Sequence, residues 1–217
     1  MPGIRGIDLP ERANLREVGG FRTRTGARVA EGRLYRGAEL CARDPAVVRH
    51  LVDELGIARV IDLRMEVEVA EGPCAALPRA CERVHLPLFT VVRPHWPEPL
   101  ERTPASTSRR YYEMLLEGRP ALARIVGLLA DSPPRPTLID CVAGRDRTGI
   151  VVACVLDLLD VPGDVIAADY ALSAVMDDAE GRKADPENIL RLLELVRAEH
   201  GSTREMLLDS GVPGDVL

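Results

Sequence analysis

Residues 138–152 read Leu-Ile-Asp-Cys-Val-Ala-Gly-Arg-Asp-Arg-Thr-Gly-Ile-Val-Val. This is an apolar strand, a tight polar loop with Cys141 and, six positions later, Arg147, and then an apolar helix. A strand that turns directly into a helix aims the helix's unbonded N–H groups and positive dipole end at the loop, so an anion is favoured there, a thiolate included. A nucleophile on the floor of a phosphate cradle suits displacement at phosphorus. In that chemistry Cys141 attacks in line while the loop Val142, Ala143, Gly144, Arg145, Asp146 and Arg147 holds the equatorial oxygens through its N–H groups. The Arg147 guanidinium can bond two oxygens at once, and the Thr148 hydroxyl can steady the departing thiolate. No metal and no cofactor is required.

Spacing alone would not carry this reading. A chain with five cysteines and twenty-seven arginines has roughly even odds of placing some Arg six after some Cys. Only Cys141 has the partner: the positions six beyond Cys41, Cys74, Cys81 and Cys154 are Val47, Ala80, Pro87 and Asp160. The surroundings of Cys141 agree as well. Gly144 lets the backbone curl without a Cβ, Thr148 brings a hydroxyl, and Gly149 permits close packing where the helix starts. The structural alternative is a buried core cysteine at a strand end.

The loop resembles the active-site loop of the cysteine-dependent protein tyrosine phosphatases, whose pattern is Cys, five residues, Arg, then Ser or Thr. More narrowly, Ala143-Gly144-Arg145-Asp146-Arg147-Thr148-Gly149 and Val165-Ile166-Ala167-Ala168-Asp169-Tyr170 are similar to the bacterial atypical, dual-specificity-like branch, which includes secreted tyrosine and lipid phosphatases. The likeness extends, in the same order, to Asn14-Leu15-Arg16-Glu17-Val18-Gly19-Gly20, Gly32-Arg33-Leu34-Tyr35-Arg36 and Val60-Ile61-Asp62-Leu63-Arg64. It implies hydrolysis of phosphate monoesters through a phosphocysteine intermediate, with protein phosphotyrosine the first substrate class. Two alternatives stand beside it: the same chemistry on inositol phosphates, phosphoinositides or a small metabolite, for which Arg145 supplies an extra cation, and a phospho-binding module without turnover. One departure is Asp140, where the resembling families usually carry His. An ionised carboxylate there would oppose the helix dipole, unless strand alternation turns it to the other face.

The leaving oxygen needs a proton, and three carboxyls compete to supply it: Asp146 in the loop, Glu98 in Trp96-Pro97-Glu98, and Glu101. The resemblance favours Asp146, with Glu98 second. Asp62 and Arg64, at the end of a strand, could bound the site or form an ion pair, and Phe89 and Tyr111 could line a substrate entrance or pack in the core. The four histidines show no paired metal spacing.

These residues need a scaffold. Alternating patterns predict helices near 44–55, 106–117 and 121–130 and strands at 59–63 and 82–88. The strand into Cys141 is followed by helices at 148–159, 163–172, 186–199 and 203–208. That is an α/β fold with a central, mostly parallel sheet flanked by helices, a helical C-terminal part, and the site at the carboxyl ends of the strands. The 217 residues suit one domain, 1–217. A net charge of −6 argues against nucleic-acid binding. No stretch is long and apolar enough to span a bilayer, no ordinary signal peptide is visible, and an odd number of cysteines fits a reducing compartment, so a cytoplasmic protein is expected, although members of the resembling branch are sometimes exported without such a signal. The short 93–109 segment predicts an open site without a long helical lid. Oligomeric state is not readable.

Overall fold

The structure, a computed structural model, describes residues 14–40, 45–71, 77–96, 103–176 and 184–217. Its centre is a five-stranded sheet in the order β1-β2-β5-β3-β4. The strands are β1 (Arg16–Glu17), β2 (Leu34–Ala38), β3 (Arg59–Asp62), β4 (Glu82–His85) and β5 (Thr137–Cys141). All pairings are parallel except β1 with β2. β5 lies between β2 and β3, buried on both faces, which explains why Thr137-Leu138-Ile139-Asp140-Cys141 is not an alternating pattern.

Side chains on successive strand residues face opposite ways, and the two faces carry separate apolar clusters. Ile61, Ile139 and Cys141 belong to the larger one, with α3 (Pro104–Glu117), α4 (Arg119–Leu129), α5 (Asp146–Leu158), α6 (Gly163–Ala171) and α8 (Pro186–His200). Tyr35, Val60 and Leu138 belong to the smaller one, with Val48, Leu51 and Val52 of α1 (Pro45–Leu55). The core is aliphatic for the most part, as a chain with only 3% aromatics demands.

The expected helices stand within about two residues of their anticipated ends. The capping residues explain the boundaries: Thr103 and Ser106 form a reciprocal box at the start of α3, and Asp185 caps α8. α9 (Thr203–Asp209) starts at Ser202, whose hydroxyl accepts from the Glu205 N–H. Four elements were not anticipated: the strands β1 and β2 and the short helices α2 (Glu66–Glu71) and α7 (Ser173–Met176). The strand expected over 82–88 ends at His85. No helix among the described residues is long and apolar enough to cross a membrane.

Candidate phosphate-binding site

The loop between β5 and α5 lies at the carboxyl edge of the sheet. Gly144 has φ +65, and a Cβ there would collide with the backbone of Gly37 and Ala38. Only glycine fits this left-handed position pressed against β2. Gly149 has a different duty: a Cβ on it would come within 2.8 Å of the Tyr170 ring, so it brings α5 and α6 together.

The four carbonyls that follow Cys141 all bond away from the loop. Val142 O accepts from the Glu39 N–H at 3.4 Å, and Ala143 O from Asn14 Nδ2 at 3.0 Å. Gly144 O accepts from Arg36 Nη2 at 3.0 Å, and Arg145 O from the Gly149 N–H at 2.8 Å and Arg36 Nη2 at 3.5 Å. Among the described residues, the N–H groups of Val142, Ala143, Gly144 and Arg147 meet no protein acceptor. α5 also starts with no side-chain cap, unlike α8 and α9. Carbonyls held outward beside unengaged N–H groups at a helix start make a nest for an anion.

Cys141 sits at the base of this nest, 2% exposed, on the face of the larger cluster. Arg147 is held from two sides. Its Nη1 and Nη2 donate to the two carboxylate oxygens of Glu68 on α2, Nη2 to Oε1 at 2.9 Å. Its guanidinium carbon also lies 5.5 Å from the centre of the Phe89 ring. Glu68 occupies the Nη1–Nη2 edge of the guanidinium, so the Nε edge remains as a second fork for an anion. Burial works against the charge on Arg147, but Cys141 and Glu68 outweigh it and raise its pKa above the ordinary value. For Glu68 burial pushes the carboxyl up, and the Arg147 bonds bring it below the ordinary value. The Thr148 hydroxyl is fully buried and has no hydrogen-bond partner.

Asp146, the favoured proton donor, is a quarter exposed at 25%. Its Oδ1 accepts from the Tyr111 hydroxyl and lies 3.6 Å from Arg110 Nη2, while its Oδ2 lies 3.4 Å from Arg145 Nη2. Tyr111 is in turn 2.8 Å from the Tyr170 hydroxyl. Burial, and next the charge of Asp146, push the Tyr111 phenol well above its usual range, so it serves as a neutral donor.

Several expected lining residues have other places. Asp62 and Arg64 are buried in an ion network: Arg64 bonds Asp62 and Glu39, and Arg83 Nη2 reaches Asp62 Oδ2 at 2.6 Å. At 0% and 1% exposed they form no wall of an open cleft. Phe89 is buried under Arg147 and braced edge-on by Trp96 at 5.4 Å. Tyr111 supports Asp146. Arg145 is 4% exposed and turned to Asp146, so it is no outward cation. Glu98 and Glu101 lie outside the described residues. Asp140 faces away from Cys141, on the side of Leu138. Its Oδ2 accepts from the Leu40 N–H at 3.2 Å. Burial, and then the neighbouring Asp62 charge, push its carboxyl well above the ordinary value. Burial thus favours its neutral form, and the carboxyl faces away from the nest.

Sequence reasoning did not single out Glu68 or Asp169. The available signal for Glu68 was position: an acidic stretch directly after a parallel strand, on the edge where ligands gather. Among the described residues no group of three or more acidic, histidine or cysteine side chains could hold a metal ion.

The family model described as "Tyrosine phosphatase family" matches residues 7–212. The triple specificity protein phosphatase PtpB of Mycobacterium tuberculosis is 33% identical over 196 residues, covering 76% of this chain and 68% of its own. A tyrosine-protein phosphatase of Nostoc commune is 28% identical over 71% of this chain and 49% of its own, so the chain spans about half the length of that relative. Among solved structures, TpbA of P. aeruginosa aligns over 97% of this chain and 98% of its own at 15% identity, with a TM-score of 0.45.

Proposed function

The chain belongs to the tyrosine phosphatase family, and on that premise we propose that it is one catalytic domain that hydrolyses phosphate monoesters, protein phosphotyrosine first among them, through a covalent intermediate on Cys141. The observation that supports this most directly is the nest itself: outward carbonyls, unengaged N–H groups and a forked arginine surrounding one cysteine sulfur. The name of the mycobacterial relative, a protein phosphatase of triple specificity, supports a protein substrate and a range wider than phosphotyrosine.

The sulfur of Cys141, as thiolate, attacks phosphorus opposite the ester oxygen. The S–P bond forms as the P–O bond breaks, and Asp146 gives its proton to the departing oxygen. The three equatorial oxygens gather charge against the loop N–H groups and the Nε edge of Arg147. Water then attacks phosphorus, its proton passes to Asp146, and the S–P bond breaks. The unpartnered Thr148 hydroxyl supplies a donor for the thiolate as it leaves. Nothing in these steps calls for a metal.

The test is hydrolysis of an aryl phosphate and of a panel of phosphotyrosine peptide, phosphoserine peptide, phosphoinositide and sugar phosphate. Wild type should turn over the aryl phosphate and prefer the phosphotyrosine peptide, and Cys141→Ser should have no turnover. A wild-type protein that binds phosphopeptide without hydrolysing it would make the chain a binding module instead.

A further inference from the structure

Beneath the nest lies a cluster that the catalytic steps do not use. Asp169, on α6, is 1% exposed and faces two buried arginines from β1 and β2. Arg16 Nε reaches its Oδ1 at 2.8 Å, and Arg36 Nη1 reaches its Oδ2 at 2.5 Å. Arg16 continues to the Asp169 carbonyl at 2.7 Å, to Ser173 at 3.2 Å and to Asn14 Oδ1 at 2.6 Å. From there the cluster meets the loop: Asn14 Nδ2 holds Ala143 O, and Arg36 Nη2 holds Gly144 O and Arg145 O. Three segments that are distant in sequence, around Arg16, Arg36 and Asp169, thus meet beneath three consecutive loop carbonyls.

We propose that Asn14, Arg16, Arg36 and Asp169 are positioning residues for phosphate binding: they hold the loop carbonyls outward and so fix the N–H groups toward the anion. Each peptide plane turns as a unit, so the Ala143 carbonyl, fixed on one side by Asn14, places the unengaged Gly144 N–H on the other. Two guanidiniums sharing one carboxylate leave a net positive charge, and it is spent on the loop carbonyls. Burial disfavours ionised Asp169, yet Arg36 and Arg16 bring its carboxyl below the ordinary range. Burial, followed by the Arg36 charge, lowers Arg16 to about 10. The cluster is therefore charged at neutral pH. A plain structural staple would hold the fold equally well without meeting the loop. Arg59 is such a staple: 2% exposed, it bonds Leu128 O at 2.7 Å, Asp131 at 2.6 Å and Glu82 at 3.0 Å at the opposite end of the sheet.

This rests on the phosphatase reading only for its kinetic arm, so the deciding measurement is equilibrium binding of tungstate by calorimetry, with the folded fraction fixed by circular dichroism. The variants are Arg36→Lys, Asn14→Gly and Asp169→Asn, with Arg59→Lys as control. Asn14 has φ +47, so glycine removes its side chain without straining the backbone. Arg36→Lys and Asn14→Gly should weaken tungstate binding per folded molecule by about tenfold or more and lower kcat/KM in step, while Arg59→Lys lowers stability alone. If Asp169→Asn does not fold, the other two variants decide. Wild-type affinity in folded Arg36→Lys and Asn14→Gly would overturn the proposal, as would a wild type that does not bind tungstate. Binding that follows the prediction in a protein without turnover would sink the phosphatase reading and leave the brace standing.

Discussion

Two carboxyls six positions apart, Asp140 and Asp146, have opposite circumstances, and their substitution separates stability from catalysis. Asp140 is fully buried beside Asp62, Arg64 and Glu39, and its folded pKa is raised above the ordinary 3.8 by burial first and Asp62 second. A raised folded pKa means full stability below the unfolded value and progressive loss as pH rises toward the folded one. Asp140→Asn keeps an acceptor for the Leu40 N–H and cannot ionise. Its advantage over wild type in unfolding free energy should therefore grow from about pH 4 upward, with a slope approaching about 1.4 kcal/mol per pH unit, while activity is retained. Chemical denaturation at pH 5 and pH 8 measures this; a constant difference would mean that Asp140 is ionised in the fold. Asp146→Asn should do the reverse, leaving stability near wild type and lowering kcat by about a hundredfold or more on a poor leaving group. A proton donor must be protonated, so this substitution should erase the limb on which activity falls as pH rises. A limb that survives in Asp146→Asn would move the donor to Glu98 or Glu101.

At the scale of elements, the turn from β5 into α5 and the short helix α2 divide the labour. The turn was legible in the sequence because its demands are local: an apolar strand, a glycine with no room for a Cβ, a polar loop and an apolar helix, all within residues 138–152. The long helices were legible for the same reason, from patterns within each stretch, though the Thr103 cap that starts α3 lies outside the expected 106–117. β1 and β2 stood out only as stretches of family likeness, since the arginines they bury have no apolar period and pair with Asp169, more than a hundred residues away. α2 was missed because it has six residues, none of them buried, and Glu68 gains its meaning only when Arg147 arrives from the far side of the loop. Phe89, read as a substrate-entrance or core residue, is buried and lies against the Arg147 guanidinium. Two substitutions follow from this division. Glu68→Gln leaves a neutral acceptor against Arg147 and should cut kcat/KM by about tenfold to a hundredfold, as loss of an orienting partner does elsewhere, with little change in Tm because α2 buries so little. Gly144→Ala forces a Cβ into β2 and should abolish turnover even where the protein folds. Full activity in Gly144→Ala would mean that the loop works in a conformation other than this one.

Two of the arginine-bearing networks among the described residues lie at opposite ends of the sheet. One, around Arg59, closes the amino ends of β3 and β5; the other, around Asp169, backs the nest at their carboxyl ends. The parallel strands carry the apolar core between them, so the nest is fixed to the most deeply buried strand and not to a surface loop. Anion binding should then stabilise the entire fold, because the unfolded chain has no nest to offer. A ligand at a hundred times its dissociation constant adds about 2.7 kcal/mol, which for a chain of this size is a rise in Tm of about 5–10 °C. Tungstate or inorganic phosphate at saturation should produce that rise in wild type and in Asp146→Asn, which keeps the nest and Arg147. The rise should vanish in Gly144→Ala and Arg147→Met, and chloride at equal ionic strength should not reproduce it. Differential scanning calorimetry across those four proteins makes the comparison. An equal rise in Gly144→Ala would show that the stabilising anion binds elsewhere on the surface and that the nest is not the molecule's principal anion site.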